Sequence, residues 1–389
     1  MVLKSVLSPQ SISTASCLDI VIPDAMTPKD GRFGSGPSKF RIEAVQALVE
    51  RSDGYLGTSH RYDTVRDVVR ELRSGFKELF DLPEGYEVAL GNGGSTAFWD
   101  AASFQLISKK SHHLSFGEFS AKFAVVTTAA PHLDNPSIAR AEPGTVLPLT
   151  VPDGVDACCY PHNETSTGVS IQPQRVSGFE QTLMLVDATS AAGALRLDPE
   201  TVDAYYFSPQ KALSSDGGLW IALLSPAAIE RIEDIAASGR WVPAFLNLKT
   251  ALDNSRRNQT YNTPSLATLF CTAYQLNWLN RSGGLEWAAK RCERSSQILY
   301  DWIEASDLAS AFVADPLMRS RVTVTIDFDD RVDAGVLCDV LRSNGIVDIN
   351  SYRKLERNQI RVGTFPAVEP DDVAALTVCI DYALERLVV

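Results

Sequence analysis

Short apolar runs alternate along the chain with stretches in which apolar residues recur every three or four positions. The short runs predict strands at Tyr86–Leu90, Phe123–Thr127, Ala157–Tyr160, Leu183–Val186, Ala204–Phe207 and Leu219–Leu224. The periodic stretches predict helices, and the clearest one begins at Asp63 and carries Val65, Val68, Leu72 and Phe76. Buried strands that alternate with helices indicate an α/β fold, in which helices cover both faces of a mostly parallel sheet.

The pattern changes after Gly283-Gly284. From there the predicted order is a helix to about Ala305, a strand Val322–Ile326, a helix Asp333–Asn344, strands Ile346–Ile349 and Gln359–Gly363, and a helix from Pro370. Such a segment has the usual size of a small α+β domain. We therefore expect an N-terminal arm (1–34), a large domain (35–284) that contains a loop-rich region at Trp241–Pro264, and a small C-terminal domain (285–389).

The overall composition is that of a globular protein. Of the 389 residues, 45% are hydrophobic and 22% are charged, which excludes a disordered chain. The net charge of −12 argues against nucleic acid as a partner, because nucleic acid requires a basic surface. The uncharged segment Asn258–Asn280 is interrupted by Pro264 and by polar residues, so we predict a buried segment and no membrane span.

Cysteine and histidine do not form metal-binding patterns. The seven cysteines contain no CxxC pair, and the five histidines form no HxxxH cluster, so we expect no bound metal. An odd number of cysteines without regular spacing is typical of unpaired thiols in a reducing compartment. We therefore predict a cytoplasmic protein.

Two predicted strands each end near an ionisable residue. Leu183–Val186 is followed by Asp187, and Ala204–Phe207 is followed by Ser208-Pro209-Gln210-Lys211. Ligands of open α/β sheets bind at the carboxyl ends of the strands. An acid and a lysine at that edge are what pyridoxal phosphate requires, the acid for its ring nitrogen and the lysine for a Schiff base. The alternative is a strand-capping acid and a solvated lysine.

Other polar segments follow strands at the same predicted edge. Gly91–Thr96 joins a strand to a helix and forms either a phosphate-binding helix N-terminus or a tight structural turn. The small, polar loop Tyr160–Gly168 could contact the cofactor ring. Arg61, Arg353 and Arg361 are candidate anion-binding residues, and Arg361 is unusual because it lies inside an apolar strand, where an unpaired charge is costly.

Eight segments together resemble the phosphoserine aminotransferases, which belong to the class V group of fold type I pyridoxal phosphate enzymes. In chain order they are FGSGPSK, GTSHR, GNGGST, GEFSAKF, HNETSTG, VDATS, SPQK and YNTPS, from Phe33 to Ser265. The resemblance implies transfer of an amino group from L-glutamate to 3-phosphohydroxypyruvate in L-serine biosynthesis. It leaves open a second role in pyridoxine biosynthesis, and it implies a homodimer with shared active sites.

The resemblance also implies roles for individual residues. Lys211 would form the Schiff base and move the α-proton, and Asp187 would pair with the pyridine nitrogen. The other cofactor contacts would be Ser95, Thr96 and Gln210 with the phosphate, Phe119 on the ring, Thr165 on the 3′-oxygen, and Asn262 and Thr263 with the phosphate from the neighbouring subunit. Substrate anions would be bound by His60 and Arg61 across the dimer and by Arg353 and Arg361.

Three residues depart from the family pattern. Thr96 stands where many members have arginine, Phe119 stands where tryptophan is more common, and Tyr352 stands where a histidine often precedes the clamp arginine. The change at Thr96 removes part of the usual substrate-phosphate clamp. An aromatic ring at Phe119 retains stacking but loses the indole N–H.

Three other classes of protein compete with this interpretation. One is a different class V enzyme, such as a serine–glyoxylate aminotransferase or a cysteine desulfurase. A desulfurase requires a mobile exposed cysteine, whereas Cys338 lies in a predicted helix beside apolar Leu337 and Val340. The second is a non-catalytic protein that binds pyridoxal phosphate. The third, an NAD-dependent dehydrogenase, would carry a glycine fingerprint that the sequence lacks.

Overall fold

The computed structural model describes residues 20–388; the first 19 residues of the predicted N-terminal arm lie outside this range. The larger part of the fold begins with α1 (Ile42–Arg51), α2 (Asp63–Leu79), β1 (Glu87–Asn92), α3 (Gly94–Gln105), β2 (Ser111–Ser115), α4 (Glu118–Ala129) and β3 (Ser137–Arg140). It continues with β4 (Ala157–Pro161), β5 (Asn163–Glu164), β6 (Val169–Ser170), β7 (Leu183–Asp187), β8 (Ala204–Phe207), β9 (Leu219–Leu224), α5 (Pro226–Ala237), α6 (Leu248–Arg256) and α7 (Leu266–Ser282).

The main sheet has seven strands in the order β1-β9-β8-β7-β4-β2-β3. Strands β8, β7, β4, β2 and β3 pair in parallel, while β9 runs antiparallel to both of its neighbours. The predicted α/β class with a mostly parallel sheet is confirmed. All parallel strands therefore end at one edge, which is where ligands of open α/β sheets bind.

Two hydrophobic layers cover the two faces of this sheet. Successive residues of a strand point to opposite faces, and in β7 Met184 packs in one layer with α2 and α7, while Leu185 packs in the other with α3, α4, α5 and α6. Both side chains are fully buried. Burial on both faces explains why the strand sequences are continuously apolar rather than alternating.

The C-terminal part of the chain forms a second, smaller sheet with its own hydrophobic cluster. Its elements are α8 (Gly284–Ala305), β10 (Ala309–Ala311), β11 (Thr323–Phe328), α9 (Ala334–Ser343), β12 (Gln359–Gly363) and α10 (Pro370–Leu387). The three strands are antiparallel in the order β10-β11-β12. Residues from α8, α9 and α10 pack on this sheet around Val324 and Ile360.

Most predicted strands and helices are present, with ends that shift by a few residues. The uncharged segment Asn258–Asn280 forms most of α7, which packs against α2 at Gly75. A Cβ at Gly75 would lie 2.8 Å from Leu276 Cδ2, so the glycine allows close approach of the two helices. None of the helices in residues 20–388 is both long enough and apolar enough to cross a membrane.

Two predicted strands are wrong. Phe123–Thr127 lies within α4, because its buried residues Phe123, Ala124 and Thr127 follow the spacing of one helical face, while Val125 is 64% exposed. Ile346–Ile349 is not a strand but makes a single bridge at Val347. The positive φ of 65° at Asp348 interrupts the extended backbone there.

The sequence prediction also omitted several elements. Strands β2 and β3 were not predicted, because the polar residues of β2 include His112 and His113, and β3 is short. The predicted loop Trp241–Pro264 contains α6, which the Asn247 side chain caps by accepting a hydrogen bond of 2.8 Å from the Thr250 N–H.

Candidate active site

A cavity of about 490 Å³ opens at the edge where β4, β7 and β8 end. This volume lies within the range that holds a small-molecule ligand. Eight predicted site residues line it: Ser95, Thr96, Phe119, Thr165, Asp187, Gln210, Lys211 and Arg361. The structure therefore brings the acid and the lysine together with the glycine-rich turn.

Asp187 is the last residue of β7 and is held by two donors. The Trp99 indole N–H donates to Oδ2 at 3.1 Å, and the Thr189 N–H donates to Oδ1 at 2.9 Å. Burial raises the pKa of this carboxyl, and the hydrogen bonds from Thr189 and Trp99 oppose that rise. The donors thus favour the charged form, which suits pairing with a cationic ring nitrogen.

Lys211 lies four residues after β8 and is 7% exposed. Its Nζ donates to Thr165 Oγ1 at 2.5 Å. Burial lowers the pKa of Lys211 to about 8, although the charge of Asp187 opposes the change. A lysine with this pKa is partly neutral near physiological pH, so its amine can act as a nucleophile and accept a proton.

The N-terminus of α3 opens into the cavity at Gly93-Gly94-Ser95-Thr96. Gly93 has a φ of 109°, which favours glycine, and no side chain caps the first turn of the helix. The Ser95 hydroxyl lies 2.6 Å from the Thr189 hydroxyl. Free N–H groups at a helix N-terminus attract anions, so this end of the cavity can bind a phosphate.

An aromatic wall stands beside the lysine. The Nζ atoms of Lys211 and Lys122 lie 5.4 Å and 5.3 Å from the centroid of the Phe119 ring. The Tyr352 ring is tilted against Phe119 with centroids 6.1 Å apart. The residue that departs from the family pattern at position 352 therefore faces the cavity together with Phe119.

Arg361 reaches the cavity from β12 of the small sheet. Its Nη1 donates to the Thr165 carbonyl at 2.9 Å, and its guanidinium lies 5.2 Å from the Tyr352 ring centroid. Burial lowers the pKa of Arg361, but a guanidinium stays protonated. Arg353, in contrast, is exposed and is not among the lining residues.

The remaining predicted residues form a separate group. His60 Nδ1 lies 3.2 Å from Thr263 Oγ1, and Arg61 donates to Gln259 Oε1 at 2.5 Å and to the Tyr261 carbonyl at 3.4 Å. His60, Arg61, Asn262 and Thr263 are absent from the described lining of the cavity. Within one chain the structure does not bring these four to the lysine.

Buried polar atoms that lack hydrogen-bond partners line the cavity, and they fit a bound pyridoxal phosphate. Buried atoms without a partner in residues 20–388 include Ser208 Oγ, Gln210 Oε1, Asn163 Oδ1, Arg361 Nε and Ser35 Oγ, and all five residues line the cavity. Buried polar groups normally have partners. A ligand with a phosphate, a ring nitrogen and a phenolic oxygen would supply such partners.

Sequence reasoning missed several lining residues. Trp99, Lys122, Thr189 and Ser190 line the cavity but were not predicted, and Asn163 was predicted only as part of the loop Tyr160–Gly168. The spacing from Ser95 could have indicated Trp99. Residues four positions apart lie on the same face of a helix, and Ser95 was already predicted to face the site. Asn163 lies in the loop Tyr160–Gly168, and its Nδ2 donates to Ser190 Oγ at 2.8 Å.

Cys338 does not belong to the site. It is buried in α9 within the hydrophobic cluster of the small sheet, as the sequence predicted, and it is absent from the described lining of the cavity. This placement does not suit the mobile cysteine of a desulfurase. Among residues 20–388, no group of three or more His, Cys, Asp or Glu side chains is arranged to hold a metal ion.

Comparison with known proteins identifies the family of the chain. The aminotransferase class-V family model matches residues 138–349. A phosphoserine aminotransferase of Rhodococcus jostii (strain RHA1) is 54% identical over 367 residues, which cover 94% of this chain and 98% of that protein.

Solved structures show the same fold. A phosphoserine aminotransferase from Cytophaga hutchinsonii superposes with a TM-score of 0.84 at 24% identity, covering 90% of this chain and 99% of the other. A pyridoxal phosphate-bound phosphoserine aminotransferase from Trichomonas vaginalis has a TM-score of 0.77 at 16% identity, covering 91% of this chain and 100% of the other. From the sequence identity and the fold together, the chain belongs to the class V aminotransferases, within the phosphoserine aminotransferase family, and is a pyridoxal phosphate-dependent transaminase.

Proposed function

We propose that the protein transfers the amino group of L-glutamate to 3-phosphohydroxypyruvate, giving O-phospho-L-serine and 2-oxoglutarate in L-serine biosynthesis. The observation that carries this proposal is one cavity in which buried Lys211, half-buried Asp187 and Arg361 meet. The relatives that are about half identical over nearly the whole chain carry the name of this activity. An amine, a carboxylate and a guanidinium are the groups that such a reaction requires.

The cofactor would be held along the length of the cavity. At one end, the free N–H groups of the α3 N-terminus, with Ser95, Thr96 and Gln210, would bind its phosphate. Asp187 would pair with the ring nitrogen, Phe119 would cover the ring and Thr165 would bind the 3′-oxygen. When bound, pyridoxal phosphate supplies a carbonyl that bonds to amines and a ring that accepts electrons.

Lys211 would be both the covalent anchor and the group that moves the α-proton of the substrate. Its lowered pKa, about 8, leaves a fraction of the amine neutral at physiological pH and able to accept that proton. The Thr165 hydroxyl holds Nζ in place. The charge of Asp187 acts to raise the pKa of Lys211, which favours return of the amine to its protonated form.

Substrate anions would be bound by arginines. Arg361 lines the cavity and would bind the carboxylate that all four substrates and products share. The phosphate, or the γ-carboxylate of glutamate, would be bound by Arg353 and by His60 and Arg61 of a neighbouring subunit. Thr96 and Tyr352 replace residues that often contribute there, so more of the phosphate binding falls to these cations.

A homodimer with shared sites follows from this proposal. His60, Arg61, Asn262 and Thr263 lie together but outside the cavity of their own chain, and a second copy would bring them to it. Exposed aromatic residues on the same and adjacent loops support an interface there: Tyr62, Trp241, Phe245 and Tyr261.

The chain is proposed to have three parts. We assign residues 1–34 to an N-terminal arm, 35–284 to the cofactor-binding domain and 285–389 to the small domain, in line with the two sheets and their separate hydrophobic clusters. We place the protein in the cytoplasm. The six described cysteines, all free and buried, support a reducing compartment.

The test measures kcat/KM of the purified holoenzyme with different amino donors and acceptors. L-glutamate with 3-phosphohydroxypyruvate should give the highest kcat/KM, above alanine or cysteine as donor and glyoxylate as acceptor. A preference for an unphosphorylated acceptor would contradict the proposal. Lys211→Ala should lose both the activity and the visible absorbance band that depends on the lysine. A wild-type protein that stays colourless with added cofactor would contradict the proposed cofactor site. Phosphohydroxythreonine in the same assay tests a role in pyridoxine biosynthesis.

A further inference from the structure

The segment Asn163–Ser166 connects four different parts of the active site. Asn163 bonds to Ser190, which lies just after β7. Thr165 accepts from Lys211 through its hydroxyl and from Arg361 through its carbonyl. The Ser166 hydroxyl accepts from the Glu118 N–H at 3.0 Å. This segment therefore contacts both the lysine and the arginine of the site.

Glu164, in the middle of that segment, is fully buried and faces the N-terminus of α4. Its Oε2 accepts from the N–H and hydroxyl of Ser120 at 2.9 Å and 3.0 Å. Its Oε1 accepts from the Ser166 hydroxyl at 2.7 Å, the Ser166 N–H at 3.2 Å and the Phe119 N–H at 3.4 Å. Five donors satisfy this buried carboxylate without a cationic partner.

The backbone around α4 leaves room for this carboxylate. A Cβ at Gly117 would lie 2.3 Å from Glu164 Cγ and 2.6 Å from Ser166 Oγ. The absence of a side chain at Gly117 therefore lets the carboxylate reach the first N–H groups of the helix. A negative charge there is also favoured by the helix dipole.

We propose that Glu164 is a positioning residue of the active site: its carboxylate joins the end of α4 that carries Phe119 to the segment that carries Thr165. Phe119 is the aromatic wall of the cavity, and Thr165 holds the amine of Lys211. Glu164 itself is absent from the described lining of the cavity. It acts on the site through these two neighbours.

Glu164 also acts on the lysine through its charge. Apart from burial, the groups that affect the pKa of Lys211 are Asp187 and Glu164, which raise it, and Arg361, which lowers it. A neutral side chain at 164 should therefore lower the pKa of Lys211 further. Rigid support for the groups around a cofactor is a general requirement for precise function.

The inference rests on the cofactor site proposed above, so its first test uses apoprotein and needs neither cofactor nor substrate. The pH dependence of carbamylation of Lys211 by cyanate, followed by peptide mass spectrometry, reports the pKa of its amine. In Glu164→Gln the midpoint should move to lower pH. The affinity of the same variant for pyridoxal phosphate, measured by fluorescence titration, should fall about tenfold, because charge-assisted hydrogen bonds are lost.

Asp203→Asn is the matched control. Asp203 is as buried as Glu164 and accepts from Arg175, Ser225 and the Met184 N–H, but it is absent from the described cavity lining. Its variant should lose thermal stability and leave the carbamylation midpoint and cofactor affinity unchanged. Equal midpoints and affinities in wild type and Glu164→Gln would overturn the proposal.

Ser166→Ala is a second variant that tests the proposal if Glu164→Gln does not fold. It removes one donor to the carboxylate and the acceptor for the Glu118 N–H, while Glu164 stays. Cofactor affinity in Ser166→Ala should fall, by less than in a variant of Glu164. An affinity equal to that of wild type would overturn the proposal, because Ser166 is part of the connection to α4.

Discussion

The indole nitrogen of Trp99 lies 3.1 Å from Oδ2 of Asp187 and connects the first turns of α3 to the end of β7. The same helix opens its N-terminus to the cavity four residues earlier. One helix would therefore serve both ends of the cofactor in the proposed site, its phosphate through the N-terminus and its ring nitrogen through the bond to Asp187. Burial raises the pKa of the Asp187 carboxyl, and the hydrogen bond from Trp99 opposes that rise.

Trp99→Phe should weaken cofactor binding. The variant keeps the aromatic volume but removes one of the two donors to Asp187, which favours the neutral acid that pairs less well with a cationic ring nitrogen. The dissociation constant for pyridoxal phosphate should rise about tenfold, as measured by titration of the apoprotein. Trp302→Phe is the matched control, since Trp302 donates to Asp381 at the surface at 2.8 Å; if both variants bind the cofactor as wild type does, the bond to Asp187 is not needed.

Burial of Lys211 makes the stability of the apoprotein depend on pH. The pKa of Lys211 in the folded protein, about 8, lies below its ordinary value of 10.5. The unfolded chain therefore binds more protons between these values, and stability rises with pH there. The unfavourable contribution of the buried, charged Lys211 to the free energy of unfolding is fully present below about pH 8 and is lost above about pH 10.5. Apo Lys211→Met should therefore exceed wild type in free energy of unfolding by roughly 3 kcal/mol near neutral pH, since each pKa unit is worth about 1.4 kcal/mol.

Urea unfolding of both apoproteins between about pH 7 and pH 10 measures this difference. The advantage of Lys211→Met should be nearly constant up to about pH 8 and then shrink as the pH rises further. Lys290→Met serves as the control, because Lys290 is 69% exposed on α8, and its small effect should be independent of pH. A constant difference between Lys211→Met and wild type would show that the amine is not desolvated.

Arg361→Lys should separate substrate binding from cofactor binding. A lysine keeps the charge but cannot make two parallel hydrogen bonds to a carboxylate, so KM for both L-glutamate and the keto acid should rise at least tenfold. Cofactor affinity should stay within about twofold of wild type. Arg357→Lys is the control, because Arg357 pairs with Asp327 outside the described cavity; a KM increase for only one substrate would contradict a shared carboxylate site at Arg361.

The sequence was sufficient for the parts of the fold that depend on continuous apolar strands. Strands β7 and β8 follow the predicted bounds closely, and their ends carry the two residues that meet in the cavity. Alternation of strands and helices was enough to predict the mostly parallel sheet, since few other arrangements bury such strands on both faces. The antiparallel orientation of β9 has no local signal, because it depends on the connection and not on the strand residues.

The local sequence pattern gave wrong or missing predictions where contacts between distant residues determine the structure. The β-branched run within α4 resembles a strand, but the helix is anchored at its start by buried Glu164, which lies 44 residues from Ser120. Trp99 was missed because its partner Asp187 is 88 residues away. Arg361 was identified because a charge inside an apolar strand is itself a local anomaly.

Mixing two inactive variants tests whether the active sites are shared between subunits. Lys211→Ala lacks the reactive amine, and Arg61→Ala lacks a cation that lies outside the cavity of its own chain. In a mixed dimer, one of the two sites would combine the intact Lys211 of one chain with the intact Arg61 of the other. Random re-association of equal amounts of the two variants should restore about a quarter of wild-type activity. Half of the dimers are then mixed, and each mixed dimer has one complete site out of two.

Two controls make this outcome decisive. Each variant alone, after the same dissociation and re-association, should stay near its own low activity. A mixture of Lys211→Ala with Asp187→Ala should restore nothing, because both residues line the cavity within a single chain, so every site in a mixed dimer carries one of the two changes. Failure of the Lys211→Ala and Arg61→Ala mixture to regain activity, with mixed dimers verified by native mass spectrometry, would place Arg61 outside the shared site.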